Sequence, residues 1–178
     1  DSGNLTAETI ERVLTPRTRA VIPVHLGGWP CEMDEIMSLA ERRGIKVLED
    51  CAQAHGGAVR GRPVGSIGHA GAFSFCQDKI ITTGGEGGLL ATDDEALWLH
   101  AWAFKDHGKS YQAVHEREHG PGFRWLHESF GTNLRMTEMQ AAIGNAQLRK
   151  LEAWSDRRRA NAQILVEGLG SVPSLRVP

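Results

Sequence analysis

Two hydrophobic periods alternate along this chain, and the switches between them mark its elements. Over residues 6–14, Ile10, Val13 and Leu14 share a helical face until Pro16 stops the pattern. Arg19 to Val24 reads as a buried strand, broken by the turn Gly27-Gly28-Trp29-Pro30. A helix is then predicted from about Glu32 to Arg43, with Met33, Ile36, Met37 and Ala40 at core spacing and Gly44 as its C-cap. Ile45 to Glu49 is the second strand, ending at Asp50. Strand, helix, strand in this order is a right-handed βαβ unit and predicts a parallel sheet. Residues 56–66 read as a polar, glycine-rich loop, and Ala72 to Phe75 as the third strand. Gly88 to Thr92 follows too soon for a helical crossover, so it should run antiparallel to the third. Asp93 and Asp94 cap a helix from Glu95 to about Phe104. Residues 105–130 have little periodicity and read as a long surface loop. From Thr137 the spacing of Met139, Ala142, Ile143, Ala146, Leu148 and Leu151 predicts a helix that continues past Trp154, with Arg157-Arg158-Arg159 on a solvated face.

Composition narrows the function classes. The 178 residues suit one domain or part of a larger one. Lys+Arg 20 against Asp+Glu 22 provides no basic field for nucleic acid or an anionic membrane. No apolar run approaches the roughly 18 residues of a membrane span, and Asp1-Ser2-Gly3-Asn4 has no signal-peptide character. The expectation is a cytoplasmic protein with a small-molecule partner. Cys31, Cys51 and Cys76 are odd in number and form no C-x-x-C pair, so they are expected as three small buried hydrophobes, with neither a disulfide framework nor a metal site.

The candidate chemistry sits where strands end. Phe73-Ser74-Phe75 stops abruptly and leads to Lys79, followed by the stiff run Ile80 to Thr83 and the glycine-rich Gly84 to Gly88. That glycine run lacks a P-loop ending and precedes a strand, so it reads as a turn. Ligands of open α/β sheets bind outside the carboxyl ends of the strands, which makes Lys79 and Asp50 candidates for one crevice. A plain ion pair between them is the bland alternative. His25, His55 and His107 lie in or near loops on the same side, where a histidine could contact substrate, but no metal-ligand spacing links them and a plain structural role is the leading reading.

Five motifs occur together in order: Thr18 to His25, Glu49 to Ala54, Phe73-Ser74-Phe75 with Lys79, Gly84 to Gly88, and Gly131-Thr132-Asn133-Leu134-Arg135-Met136. Taken whole, they resemble the DegT/DnrJ/EryC1/StrS family of sugar aminotransferases, pyridoxal-phosphate enzymes of the aspartate-aminotransferase fold. The resemblance implies a three-layer α/β/α architecture with a mostly parallel sheet. It places a partial cofactor-binding large domain at 1–152, and at 153–178 a helix leading toward a smaller C-terminal domain. In the family, Lys79 resembles the lysine that holds the cofactor aldehyde as a Schiff base and shuttles the proton. Asp50 resembles the carboxylate that keeps the pyridine nitrogen protonated. Ala52 would lie against a ring face, Gln53 would bond the phenolic oxygen, and Ser74 would bind the phosphate. Asn133 resembles an amide that reaches the phosphate from a neighbouring subunit, which implies a homodimer with shared sites.

By resemblance, the activity is transfer of an amino group from glutamate to a keto group of a nucleotide-linked sugar, in amino-sugar or polysaccharide biosynthesis. Some relatives place histidine at the Lys79 position and dehydrate sugars; a sugar dehydratase and a non-catalytic regulatory relative are the alternatives. The family's cofactor-binding segment near the start of the protein has no counterpart here, so this chain resembles part of a large domain and is expected to be inactive alone.

Overall fold

The computed structural model describes residues 2–175 and Val177. Asp1, Arg176 and Pro178, at the outer ends of the 1–152 and 153–178 division, lie outside the described residues. The first half is a helix-backed sheet. Helix α1 (Ala7–Glu11) starts at a Thr6–Thr9 capping box, and β1 (Ala20–Val21) follows. A 3-10 turn at Leu26–Gly28 leads to α2 (Met33–Arg43), β2 (Lys46–Asp50), β3 (Ala58–Val59), β4 (Arg62–Pro63), β5 (Ala70–Ser74) and β6 (Gly88–Ala91). The main sheet has the order β1-β2-β5-β6: β1 and β5 flank β2 in parallel, and β6 pairs with β5 antiparallel, as the short connection predicts.

Helix α2 covers this sheet. Met33, Ile36, Leu39 and Ala40 pack with Ile10, Cys31, Ile45, Val47 and Ile67 into the main core. Burying each large side chain of that set contributes roughly 1.5–3 kcal/mol. Leu39 rather than Met37 completes the buried face, and Gly44 ends the helix in the left-handed conformation at φ 63°.

Several expectations change. Helix α1 stops at Glu11, so Val13 falls beyond it and is 73% exposed. The first strand is short and half-open because it is the sheet's edge: Ile22 and Val24 face outward, and Pro23 cannot donate to a ladder. The loop at 56–66 contains the β3–β4 hairpin, turned at Arg60 and Gly61 with φ of 49° and 80°.

The second half is helical. Asp94 accepts from the Leu97 amide at 3.0 Å to begin α3 (Glu95–Lys105). Inside the expected loop of 105–130 lies a short helix, α4 (Tyr111–His115), capped by Ser110. Tyr111 holds it against α3 through Trp98 and Trp102, with ring centroids at 5.1 and 5.4 Å. The long helix expected from Thr137 is two, α5 (Glu138–Leu148) and α6 (Leu151–Leu169). The break has a packing cause. Gln140 and Gln147 of α5 bond the glycine-rich segment at Glu86 O and Thr82 N, whereas α6 seats Leu151 and Ser155 against Gly56. One straight axis does not serve both contacts, and the Lys150 amide turns back to Gln147 O at 2.8 Å. No helix among the described residues is long and apolar enough to cross a membrane.

Candidate active site

Glu49 and Asp50 are neighbours on β2 and, by the period of a strand, face opposite ways. Glu49 points inward. Its side chain and that of His25 are wholly buried, with His25 Nε2–H donating to Glu49 Oε2 at 3.0 Å. The tautomer follows from the other nitrogen, since His25 Nδ1 accepts from the Cys31 amide at 3.0 Å. Three more backbone donors converge on the carboxylate: Gly65 N at 2.9 Å, Ile67 N at 2.7 Å and Gly68 N at 2.6 Å. Burial alone would raise the Glu49 pKa, but His25 and the three amides outweigh it and hold the carboxyl below its ordinary value. This network ties the 65–68 loop to β2, and the loop lies so close to the adjacent β5 that a Cβ on Gly71 would be 2.3 Å from the Gly65 Cα.

His25, Glu49 and Cys51 also gather their ligand-type atoms within 4.8 Å. Their donor sets are already committed. Both Glu49 oxygens and both His25 nitrogens carry hydrogen bonds, and burial pushes the Cys51 thiol up to about 12. The cluster is an internal anchor rather than a ligand site, and it removes His25 from the candidate substrate contacts. Cys31 is likewise buried and raised to about 11. Cys76 departs from expectation: it is only partly buried, with Sγ 2.7 Å from Asp78 Oδ1.

Asp50 faces the other way, at the mouth of the strands. Its backbone is held to the segment after β1, donating to Pro23 O at 2.9 Å and accepting from His25 N at 3.1 Å, while on the other side its register partner on β5 is Ala72, whose carbonyl accepts from Cys51 N at 2.8 Å. Its Oδ1 accepts from the Ala52 amide at 3.0 Å, which orients the partly exposed carboxylate. Gln53 Oε1 accepts from Gly27 N at 2.7 Å, so the side-chain NH2 is the group left to meet a ligand. Ser74 ends β5, and its Oγ accepts from Cys76 N at 3.4 Å. Asp50, Ala52, Gln53 and Ser74 thus lie on or just beyond two adjacent parallel strand ends.

Lys79 lies five residues past Ser74 in the turn that follows, its amide bonded to Cys76 O at 3.2 Å. It is partly buried and forms no ion pair within 4 Å among the described residues, so the simple Asp50–Lys79 salt bridge is not present. Asn133 takes its bonds from outside this group. It bridges Asp106 through the backbone, and its Oδ1 accepts from Arg135 Nε at 3.0 Å, leaving its NH2 outward. Arg135 is in turn 3.3 Å from Asp106, whose carboxyl lies below its ordinary value: burial opposes this, and His107, Lys109 and Arg135 outweigh burial. His107 is engaged in that network.

Sequence reasoning passed over Glu49, Asp106 and the way His55 is held. The available signal for the first was strand alternation, which puts Glu49 on the same inward face as Val47, where a buried acid needs several donors. A separate groove of about 1040 Å³ lies elsewhere, between β6, α3 and the Leu134–Met136 segment, and contains none of Asp50, Ser74 or Lys79.

A family model for DegT/DnrJ/EryC1/StrS aminotransferases matches residues 1–178. The chain belongs to this family. It is 37% identical over 178 residues to a dTDP-3-amino-3,4,6-trideoxy-alpha-D-glucose transaminase of Streptomyces venezuelae, covering 100% of this chain and 44% of that protein. It is 41% identical over 165 residues to a UDP-N-acetyl-3-dehydro-alpha-D-glucosamine 3-aminotransferase of Acidithiobacillus ferrooxidans, covering 93% and 42%. Among solved structures, an aminotransferase from Psychrobacter cryohalolentis superposes with a TM-score of 0.93 at 60% identity, covering 95% of this chain and 43% of that one. The fold is accordingly part of an aminotransferase α/β domain with a mostly parallel sheet. The chain spans less than half the length of these relatives.

Proposed function

We propose that this chain forms the central part of the active site of a pyridoxal-phosphate aminotransferase that moves an amino group from glutamate to a keto group of a nucleotide-linked sugar. The observation that carries the reading is the juxtaposition of an oriented carboxylate, Asp50, with Ser74 on adjacent parallel strand ends, and Lys79 in the turn beyond. Family membership and the two sugar-aminotransferase relatives support it.

The residues fit the cofactor. Asp50 has one oxygen turned by the Ala52 amide and the other left for a cationic ring nitrogen. Ala52 is small enough to lie under a planar ring. Gln53, with its carbonyl oxygen taken by Gly27, presents only donors, as a phenolate oxygen requires. The Ser74 hydroxyl proton and the Asn133 NH2 are uncommitted among the described residues and suit phosphate oxygens. When bound, pyridoxal phosphate supplies an aldehyde and an electron-accepting ring. Lys79 would be the amine that holds that aldehyde carbon, and its free amino group would take up and return the proton at the donor's α-carbon. Asp50 would hold the ring nitrogen protonated by its charge. Asn133, which takes its bonds from outside the strand-end group, serves a neighbouring copy in a cytoplasmic homodimer, so that each site is completed by two chains. Lysine rather than histidine at position 79 favours transamination over sugar dehydration.

The test uses the full-length protein loaded with pyridoxal phosphate. Glutamate should convert the bound cofactor to its amine form, followed by absorbance, and one of a panel of UDP-, dTDP- and GDP-linked keto-sugars should convert it back. No conversion by glutamate or any other amino donor would overturn the reading.

A further inference from the structure

His55 has no part in the site as described, yet it is a nearly fully buried polar side chain beside it. It is 5% exposed and wedged between Phe73 and Phe75, with ring centroids at 5.9 and 5.8 Å. Nε2 lies 2.8 Å from the carbonyl oxygen of Ser74. A carbonyl only accepts, so the proton is on Nε2 and that nitrogen donates. Nδ1 is then a bare acceptor, and it is buried without a hydrogen-bond partner among the described residues. Burial lowers the ring's pKa below the ordinary histidine value, the bond to the Ser74 carbonyl opposing it and the nearby Lys79 charge adding to it.

The turn carrying His55 is itself fixed. Gly56, at φ +76°, sits so close to α6 that a Cβ there would be 2.9 Å from Ser155 Oγ, and Arg159 Nη2 donates to Gly56 O at 3.1 Å. Gly57 N closes the turn on Ala54 O at 2.9 Å. His55 therefore reaches from a clamped turn, two residues past Gln53, to the last residue of β5. An unpartnered ring nitrogen in the interior is unfavourable. Its retention is accounted for if the other nitrogen holds a carbonyl whose position matters.

The geometry points to His55 as a positioning residue for phosphate binding: by gripping the Ser74 carbonyl, it sets the rotation of that peptide and so the direction of the Ser74 hydroxyl. The inference rests on the cofactor reading above and adds a residue that touches neither the cofactor nor the reacting atoms. It predicts a selective effect. Loss of the grip weakens recognition of the phosphate group, while the contacts of Asp50, Ala52 and Gln53 to the ring remain.

The experiment measures equilibrium binding of pyridoxal phosphate and of pyridoxal, which lacks the phosphate, to the full-length protein. The variants are His55→Phe, which keeps the ring stack and loses the donor, and His55→Gln, whose amide nitrogen can occupy the Nε2 position. His55→Phe should bind pyridoxal phosphate at least tenfold more weakly with pyridoxal affinity unchanged, and His55→Gln should restore most of the difference. If His55→Phe is insoluble, His55→Asn, too short to reach Ser74 O, takes its place against His55→Gln. Equal loss for both ligands, or no loss for either, would overturn the proposal. Failure of the wild-type protein to prefer pyridoxal phosphate over pyridoxal would instead count against the cofactor reading.

Discussion

The strand-end half of the molecule and its C-terminal half are built on opposite terms. From Ile10 to Ile81 the chain closes on itself: α2 seals one face of the sheet, and His25 and Glu49 are satisfied in an interior that excludes water. From residue 106 onward, only Asp106, Gly108, Ala113 and Ser155 are buried among the described residues, while Phe123, Trp125, Phe130, Leu134 and Met139 stand open. The difference shows where the geometry of the site originates. Asp50 and Ser74 are held by a saturated network beneath them, whereas Asn133 rides on a segment tied down by Asp106 and surrounded by apolar surface that this chain does not cover. Rigid presentation belongs to the first half, and the second leaves apolar surface open.

The sharpest way to break this contrast is Glu49→Gln in the full-length protein. Each carboxylate oxygen accepts two hydrogen bonds, so the amide must aim an N–H at existing donors. Unfolding by denaturant should show a loss of about 3–5 kcal/mol, the scale for breaking a buried charge pair; a loss below 1 kcal/mol would show that the network is not what fixes the strand ends. Asp50→Asn, one residue away, should leave the unfolding midpoint nearly unchanged and lower turnover on the order of a hundredfold, roughly 3 kcal/mol in the barrier. Wild-type turnover in that variant would remove Asp50 from the mechanism.

Acid should also act on the first half. His55 and Glu49 both have folded pKa values below their ordinary 6.5 and 4.5, so the unfolded chain binds more protons than the folded one as pH falls. Their contributions are complete above those values. The His55 share is lost first as pH drops below about 6.5, and the Glu49 share as it drops below about 4.5. Denaturant midpoints measured against pH should fall in two stages, with the upper one absent in His55→Phe; an unchanged upper stage would assign it to other histidines. The smallest effect is expected in the open half. Phe130→Ser, at a side chain 98% exposed, should change the unfolding free energy of the 178-residue chain by less than about 0.5 kcal/mol. A loss of several kcal/mol would show that this face is packed after all.

The same contrast explains what could be read from the sequence. The βαβ unit, the antiparallel fourth strand and the Gly44 cap were legible because local periodicity and turn chemistry agree with the tertiary packing there. The β3–β4 hairpin was hidden by its two-residue strands, too short to show alternation. The division between α5 and α6 carries no glycine or proline; it follows from packing partners distant in sequence, which no local pattern encodes. At the candidate site, Asp50 and Lys79 are legible from their place past strand ends, and Ser74 from motif resemblance. Glu49 reads from the sequence as part of a strand, and His55 as a residue in or near a loop, with nothing in either to show how it is held. Burial and hydrogen-bond saturation, which separate an anchor from a ligand contact, are properties of the fold rather than of residue type.

The central claim, that the strand-end half presents Lys79 to pyridoxal phosphate, is tested most directly by borohydride reduction of the full-length protein in the presence of the cofactor, followed by peptide mapping. The account predicts a single pyridoxyl group on Lys79, absent in Lys79→Ala and undiminished when Lys105 or Lys109 is replaced by Arg. Label on Lys105 or Lys109 in the wild-type protein, with Lys79 unmodified, would contradict it.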